Sequence, residues 1–131
     1  MRLLLDTHAL IWASITPERL STAAARRLQD ARNELHVSIA TWWEISIKVS
    51  KPQAILTLPP GWEQRTESYL ATWGINWLPV RIEHCRAVRA LPWAHRDPFD
   101  RMLIAQAQVE RLGILTIDKQ FKDYDVKVVW D

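Results

Sequence analysis

The sequence predicts an α/β fold with a mostly parallel sheet covered by helices on both faces. Three observations carry this expectation. Short apolar runs of strand length recur along the chain, stretches with helical spacing separate them, and two of the runs, RLLLD and ILTID, end in an acid. At 131 residues the chain has the size of one ordinary domain, so a single unit over residues 1–131 is expected. The composition, 48% apolar and 24% charged without repeats or low-complexity tracts, predicts that the unit folds around a core.

Taken in order, RLLLD at 2–6 reads as a buried strand that ends at Asp6, and THALIWAS continues as a helix. Thr16 and Pro17 suit an N-cap and first helical position, with Leu20, Ala24, Leu28 and Ala31 following at helical spacing. ELHVS at 34–38 is strand-like. The next stretch, IATWWEISIKVSK, alternates apolar and polar residues as a strand would, yet its length and Ser38 as a candidate cap favour a helix with Ile39, Trp42, Ile45 and Val49 on one stripe. Pro52, Pro59, Pro60 and Gly61 mark a loop, and Trp62 to Trp73 forms another helix closed by Gly74. INWLPV is a strand, IEHCRAVRAL a short helix, and LPWAHRD a loop. From Pro98 to Leu112 a helical stripe runs through Met102, Ala105, Val109 and Leu112, with Gly113 in the left-handed closing position. ILTID is then a strand ending at Asp118, and DVKVVW a final strand.

The net charge of +2 and a pI near 8.9 allow an anionic partner without demanding one. Cys85 is the only cysteine, which excludes an internal disulfide and a thiolate zinc cluster and suits a reducing cytoplasm. The opening apolar run is interrupted by Asp6 and His8 and is too short to span a bilayer, so neither a signal peptide nor a membrane segment is expected.

The acids carry the chemistry. In open parallel sheets ligands sit beyond the carboxyl ends of the strands, and Asp6 and Asp118 are expected there. Helices can add Glu44 and Asp100 to the same edge. Carboxylates ~4 Å apart repel by roughly 4 kcal/mol at an effective dielectric of ~20, so such a cluster requires a cation or protonation. Carboxylate oxygens with retained waters suit Mg²⁺ or Mn²⁺, and the reaction that follows is phosphodiester hydrolysis by metal-activated water. Taken singly, each acid has a plainer role: Asp6 and Asp118 as helix caps, Glu44 as a solvated residue on an amphipathic element.

Other chemistries find less support. His8, His36, His84 and His95 lack a two-histidine metal spacing, and no nucleophile elbow surrounds any serine or the cysteine. Lys48, Lys51 and Arg101 are candidate phosphate neighbours, with ordinary surface roles as the alternative. Most of the eight tryptophans are expected in the core, with an exposed minority among Trp12, Trp42 and Trp43 serving a protein interface or, less simply, stacking on bases.

Four motifs in order, LLLDTHALIW, VSIATWWEISIK, HRDPFDRMLIAQA and ILTIDKQF, resemble those of PIN-domain proteins of the VapC toxin type across nearly the whole chain. The resemblance implies an α/β/α sandwich with a parallel sheet and a Mg²⁺- or Mn²⁺-dependent endoribonuclease. It also implies a toxin neutralised by a VapB-type antitoxin, and a homodimer. Carried over residue by residue, the family's acids fall on Asp6, Glu44, the DPFD segment and Asp118. Within DPFD, Pro98 suits the first helical position, which makes Asp97 the N-cap and leaves Asp100 in the first turn, free to face metal. Two alternatives stay open from sequence: a PIN-fold interaction module without catalysis, and a metal-dependent nuclease or phosphatase acting on something other than RNA.

Overall fold

A computed structural model describes residues 1–53 and 56–131; positions 54 and 55, inside the predicted proline-rich loop, lie outside the described residues. Five parallel strands form one sheet in the order β3-β2-β1-β4-β5. They are β1 (Arg2–Leu5), β2 (Glu34–Ser38), β3 (Asn76–Leu78), β4 (Gly113–Leu115) and β5 (Val128–Val129). The helices are α1 (Thr7–Ser14), α2 (Thr22–Gln29), α3 (Ile39–Ser50), α4 (Trp62–Thr72), α5 (Ile82–Ala90) and α6 (Pro98–Glu110).

Side chains on a strand alternate between faces, and here the alternation divides the core. Leu3 and Leu5 of β1 pack with Leu10, Leu28, Ile45 and Leu70 on one side. Leu4 packs with Leu103, Ile104, Leu112 and Ile114 on the other. With α1, α2 and α4 over the first face and α5 and α6 over the second, the result is a three-layer α/β/α sandwich with a parallel central sheet. Because both faces are covered, the central strands can be continuously apolar, which is why RLLL reads as an unbroken run.

Several local expectations are corrected. The helix predicted from Pro17 is a single 3-10 turn, Pro17–Arg19, without a side-chain cap from Thr16. The chain then straightens at Leu20, and Ser21 caps α2 by accepting the Ala24 N–H at 3.0 Å. Ala31 lies beyond that helix. The left-handed residue closing α6 is Arg111 (φ 56°), not Gly113, which opens β4. Gly113 is small for a packing reason: a Cβ there would approach Leu3 Cδ2 at 3.1 Å.

The buried face of α6 is Leu103, Ile104 and Ala107 beside Ala105, while Val109 is exposed, because the helix packs against both α5 and α3. No tryptophan is buried: Trp43, Trp73, Trp77 and Trp93 are exposed and the other four are half-buried. Leu, Ile, Val and Ala fill the interior instead, and the indoles pair along its margins, as Trp12 does with Trp130 at 5.9 Å and Trp42 with Trp62 at 5.3 Å. The ambiguous segment at 39–50 is helical, capped by Ser38 through the Ala40 N–H at 3.0 Å.

Candidate active site

The order of the strands fixes where a site can form. The chain leaves β1 towards β2 on one side and reaches β4 on the other, so the carboxyl ends of β1 and β4 flank the crevice where strand order reverses. Asp6 stands directly after β1. Its N–H extends the ladder to Leu115 O at 3.1 Å. Its carboxylate does two things at once: Oδ1 caps α1 by accepting the Ala9 N–H at 2.7 Å, and Oδ2 accepts the Thr116 hydroxyl. Asp6 is 5% exposed, and burial pushes its carboxyl above the ordinary range against the lowering effect of those hydrogen bonds. Thr116 is not legible as a site residue in the sequence, since a lone threonine after a strand carries no signal of its own.

Asp118 sits farther along than the sequence suggests. β4 ends at Leu115, and Asp118 is the N-cap of a 3-10 turn over Lys119–Asp123, accepting the Gln120 N–H at 2.9 Å. Its own N–H donates to Thr116 Oγ1 at 3.0 Å. Thr116 therefore ties the Asp6 carboxylate to the Asp118 backbone.

Glu44 enters from α3 and is 4% exposed. Thr7, the first residue of α1, donates its hydroxyl to Glu44 Oε1 at 2.6 Å, and Lys48 one turn later on α3 pairs with Oε2. A buried carboxylate requires such partners, because leaving its charge unpaired costs several kcal/mol, on the order of 3–5. Lys48 is thus the counter-ion of Glu44 rather than a free phosphate neighbour.

The DPFD segment divides as the proline predicts. Asp97 Oδ1 accepts the N–H groups of Phe99 at 2.8 Å and Asp100 at 3.2 Å, with Pro98 opening α6. Asp100 has no side-chain hydrogen bond or ion pair among the described residues. Its carboxyl is pushed up to about 7, first by burial and then by the charges of Asp97, Glu44, Asp6 and Asp118. Carboxylates from α6, α3, the end of β1 and the segment after β4 therefore share one neighbourhood.

That donor set fits a hard divalent cation in kind: it is all oxygen, strongly anionic, and includes one carboxylate with no partner among the described residues. It is not drawn together around one point. Among the described residues no three His, Cys, Asp or Glu side chains form a ready-made metal site, because Asp6 and Glu44 are turned to their hydroxyl, amide and ammonium partners.

The remaining candidates have structural work. Arg101 is 3% exposed and directs its guanidinium to the carbonyls of Val88, Leu91, Pro92 and His95 and to the Tyr124 hydroxyl, so it binds the α5–α6 connection together and is not a phosphate neighbour. His95 Nε2 lies 2.8 Å from Gln120 O, and His84 accepts the Arg81 N–H at 2.9 Å within α5. Lys51 is exposed at the end of α3.

Comparison with known proteins bears on the family and the fold. The chain is 29% identical to Ribonuclease VapC22 of Mycobacterium tuberculosis over 123 residues, covering 92% of this chain and 90% of that protein. Its fold matches that of a crystal structure of VapBC2 from Rickettsia felis bound to a DNA fragment from their promoter, with a TM-score of 0.76, 16% identity and full coverage of both chains. VapBC-1 from nontypeable Haemophilus influenzae superposes with a TM-score of 0.64 at 17% identity, covering 98% of this chain and 97% of that one. The profile described as PIN domain matches residues 3–127, nearly the whole sequence, and the chain belongs to the PIN-domain family.

Proposed function

We propose that this protein is a Mg²⁺- or Mn²⁺-dependent endoribonuclease that hydrolyses RNA phosphodiester bonds and serves as the toxin of a type II toxin–antitoxin pair in the cytoplasm. In this reading residues 1–131 form one PIN-like domain, a VapB-like antitoxin is the partner, and the toxin is a homodimer. The likeness to a protein named a ribonuclease supports the activity, and folds shared with VapBC proteins support the pairing.

The observation that carries the reading is the placement of Asp100 in the first turn of α6, without a side-chain partner among the described residues, in the neighbourhood of Asp6, Glu44 and Asp118. Those four acids would hold the metal. When bound, the ion supplies Lewis-acid stabilisation of phosphate charge and makes water a stronger nucleophile near neutral pH.

The chain's own contribution is to aim and balance the acids. Thr116 and the Ala9 N–H fix Asp6, Thr7 fixes one oxygen of Glu44, and Lys48 offsets its charge. Without a cation, burial and the neighbouring carboxylates favour protonation of Asp100, which relieves repulsion within the cluster.

The test is to sequence RNA ends after brief expression of the wild type and of Asp100→Asn. New 5′ ends with the wild type alone are expected, and their absence removes the reading. A second reading, a binding module without catalysis, is favoured by the Glu44–Lys48 pair and by the lack of a ready-made ligand cluster among the described residues. Calorimetric titration with Mn²⁺ separates the two, since a pure binding module need not take up metal.

A further inference from the structure

Trp43 and Phe99 are the immediate neighbours in sequence of two of the proposed ligands, Glu44 and Asp100. Their rings meet edge to face, with centroids 5.3 Å apart and planes at 75°. Such a contact orients the two rings relative to each other. It leaves the indole of Trp43 62% exposed, an arrangement that the fold itself does not require. The pair therefore joins α3 to α6 at the place where those helices deliver their acids, and presents a partly ordered aromatic surface to solvent.

Two cations lie along the same stretches of chain. Lys51 closes α3 two turns beyond Trp43, and Arg96 stands three residues before Phe99. Both are exposed, and neither forms an ion pair among the described residues. An aromatic pair next in sequence to two of the acids, with exposed cations farther along the same stretches of chain, offers the chemistry that single-stranded nucleic acid uses, in which bases stack and backbone phosphates meet positive charge.

We propose that Trp43, braced by Phe99, is a stacking platform for an unpaired base of the RNA next to the scissile phosphate. The inference rests on the ribonuclease reading and adds a positioning residue to it: the platform acts through binding rather than through the reacting atoms. A duplex would keep its bases stacked on one another and unavailable to the indole. The competing occupant is an apolar protein side chain, because Ile39, one turn before Trp43, is also exposed.

The experiment compares purified full-length wild type, Trp43→Ala, Trp43→Phe and the control Trp73→Ala, an exposed indole that closes α4. The substrates are a single-stranded oligoribonucleotide and a set of copies each carrying one abasic nucleotide. Trp43→Ala is expected to raise KM on the order of 10- to 100-fold with a smaller effect on kcat, and Trp43→Phe to recover most of it. In the wild type one abasic position near the cut should raise KM similarly, and Trp43→Ala should be indifferent at that position. Trp73→Ala should behave as wild type.

A wild type that cuts RNA while Trp43→Ala keeps its KM overturns the platform alone, and so does an abasic series with no sensitive position. A change in oligomeric state of Trp43→Ala with KM unchanged assigns the patch to a protein contact. A wild type that neither binds nor cuts RNA overturns the platform together with the ribonuclease reading.

Discussion

Replacing Asp100 with asparagine should stabilise the metal-free protein, and the gain should depend on pH. The Asp100 carboxyl is raised from 3.8 to about 7 by burial and by Asp97, Glu44, Asp6 and Asp118. A group whose folded-state pKa lies above its unfolded value binds protons more tightly when folded, so stability falls as pH rises. The loss begins near the unfolded pKa, about 4, and is complete just above about 7. At roughly 1.4 kcal/mol per tenfold change in proton affinity, the upper bound is about 4 kcal/mol. Part of the carboxyl still meets solvent, and screening there reduces the expected figure to about 1–2 kcal/mol. Asparagine keeps the shape, carries no charge and breaks no side-chain hydrogen bond found among the described residues.

The assay is urea unfolding in chelator at a series of pH values. Wild type and variant should have similar stability near about pH 4, with the variant ahead by about 1–2 kcal/mol near about pH 8. Millimolar Mg²⁺ should then narrow the gap by stabilising the wild type. A variant no more stable than wild type near neutral pH, or a difference that does not change with pH, would refute the claim that these carboxylates burden one another.

Three further outcomes follow from named contacts. Thr116→Val removes the hydroxyl that Asp6 accepts, and should cost about 1–3 kcal/mol by leaving a buried carboxylate short of a partner, read from urea midpoints; Thr116→Ser should restore most of it. Arg101→Met should lower stability by about 3 kcal/mol, because the carbonyls of the α5–α6 connection lose a shared donor that is itself buried, and Arg101→Lys should rescue little, since an ammonium cannot span the same fork of acceptors. Asp97→Ala should cost about 1 kcal/mol as a lost helix cap, while Asp97→Ser keeps the cap and much of the RNA-cleaving rate and Asp100→Ser loses that rate.

The architecture was legible in the sequence where residue pattern and position agreed. RLLL suits a covered strand, and Pro98 after Asp97 marks the start of α6. At 39–50 alternation argued for a strand, and length with the Ser38 cap argued for the helix that forms. Local pattern failed where tertiary packing or a competing cap decided the outcome. Ser21 caps the helix that Thr16 and Pro17 predict, and Gly113 opens β4 in close contact with Leu3 instead of stopping α6.

For the proposed site, the four candidate acids are visible in the sequence because each stands at an element boundary or on a motif. Their partners were not. Thr7 and Thr116 carry no pattern, and Lys48 and Arg101 read as candidate phosphate neighbours or surface cations, whereas they pair with Glu44 and with the carbonyls of the α5–α6 connection. Contacts between residues far apart in the chain, such as Thr116 with Asp6, cannot be read from local sequence.

The most direct measurement of the central claim is the rate at which the purified full-length protein cuts single-stranded RNA with Mg²⁺ or Mn²⁺, compared with chelator and with Asp100→Asn. Cleavage by the wild type that stops in chelator and is lost in the variant is the predicted result. Cleavage that persists unchanged in either condition, or a wild type that leaves RNA intact with both metals, would contradict it.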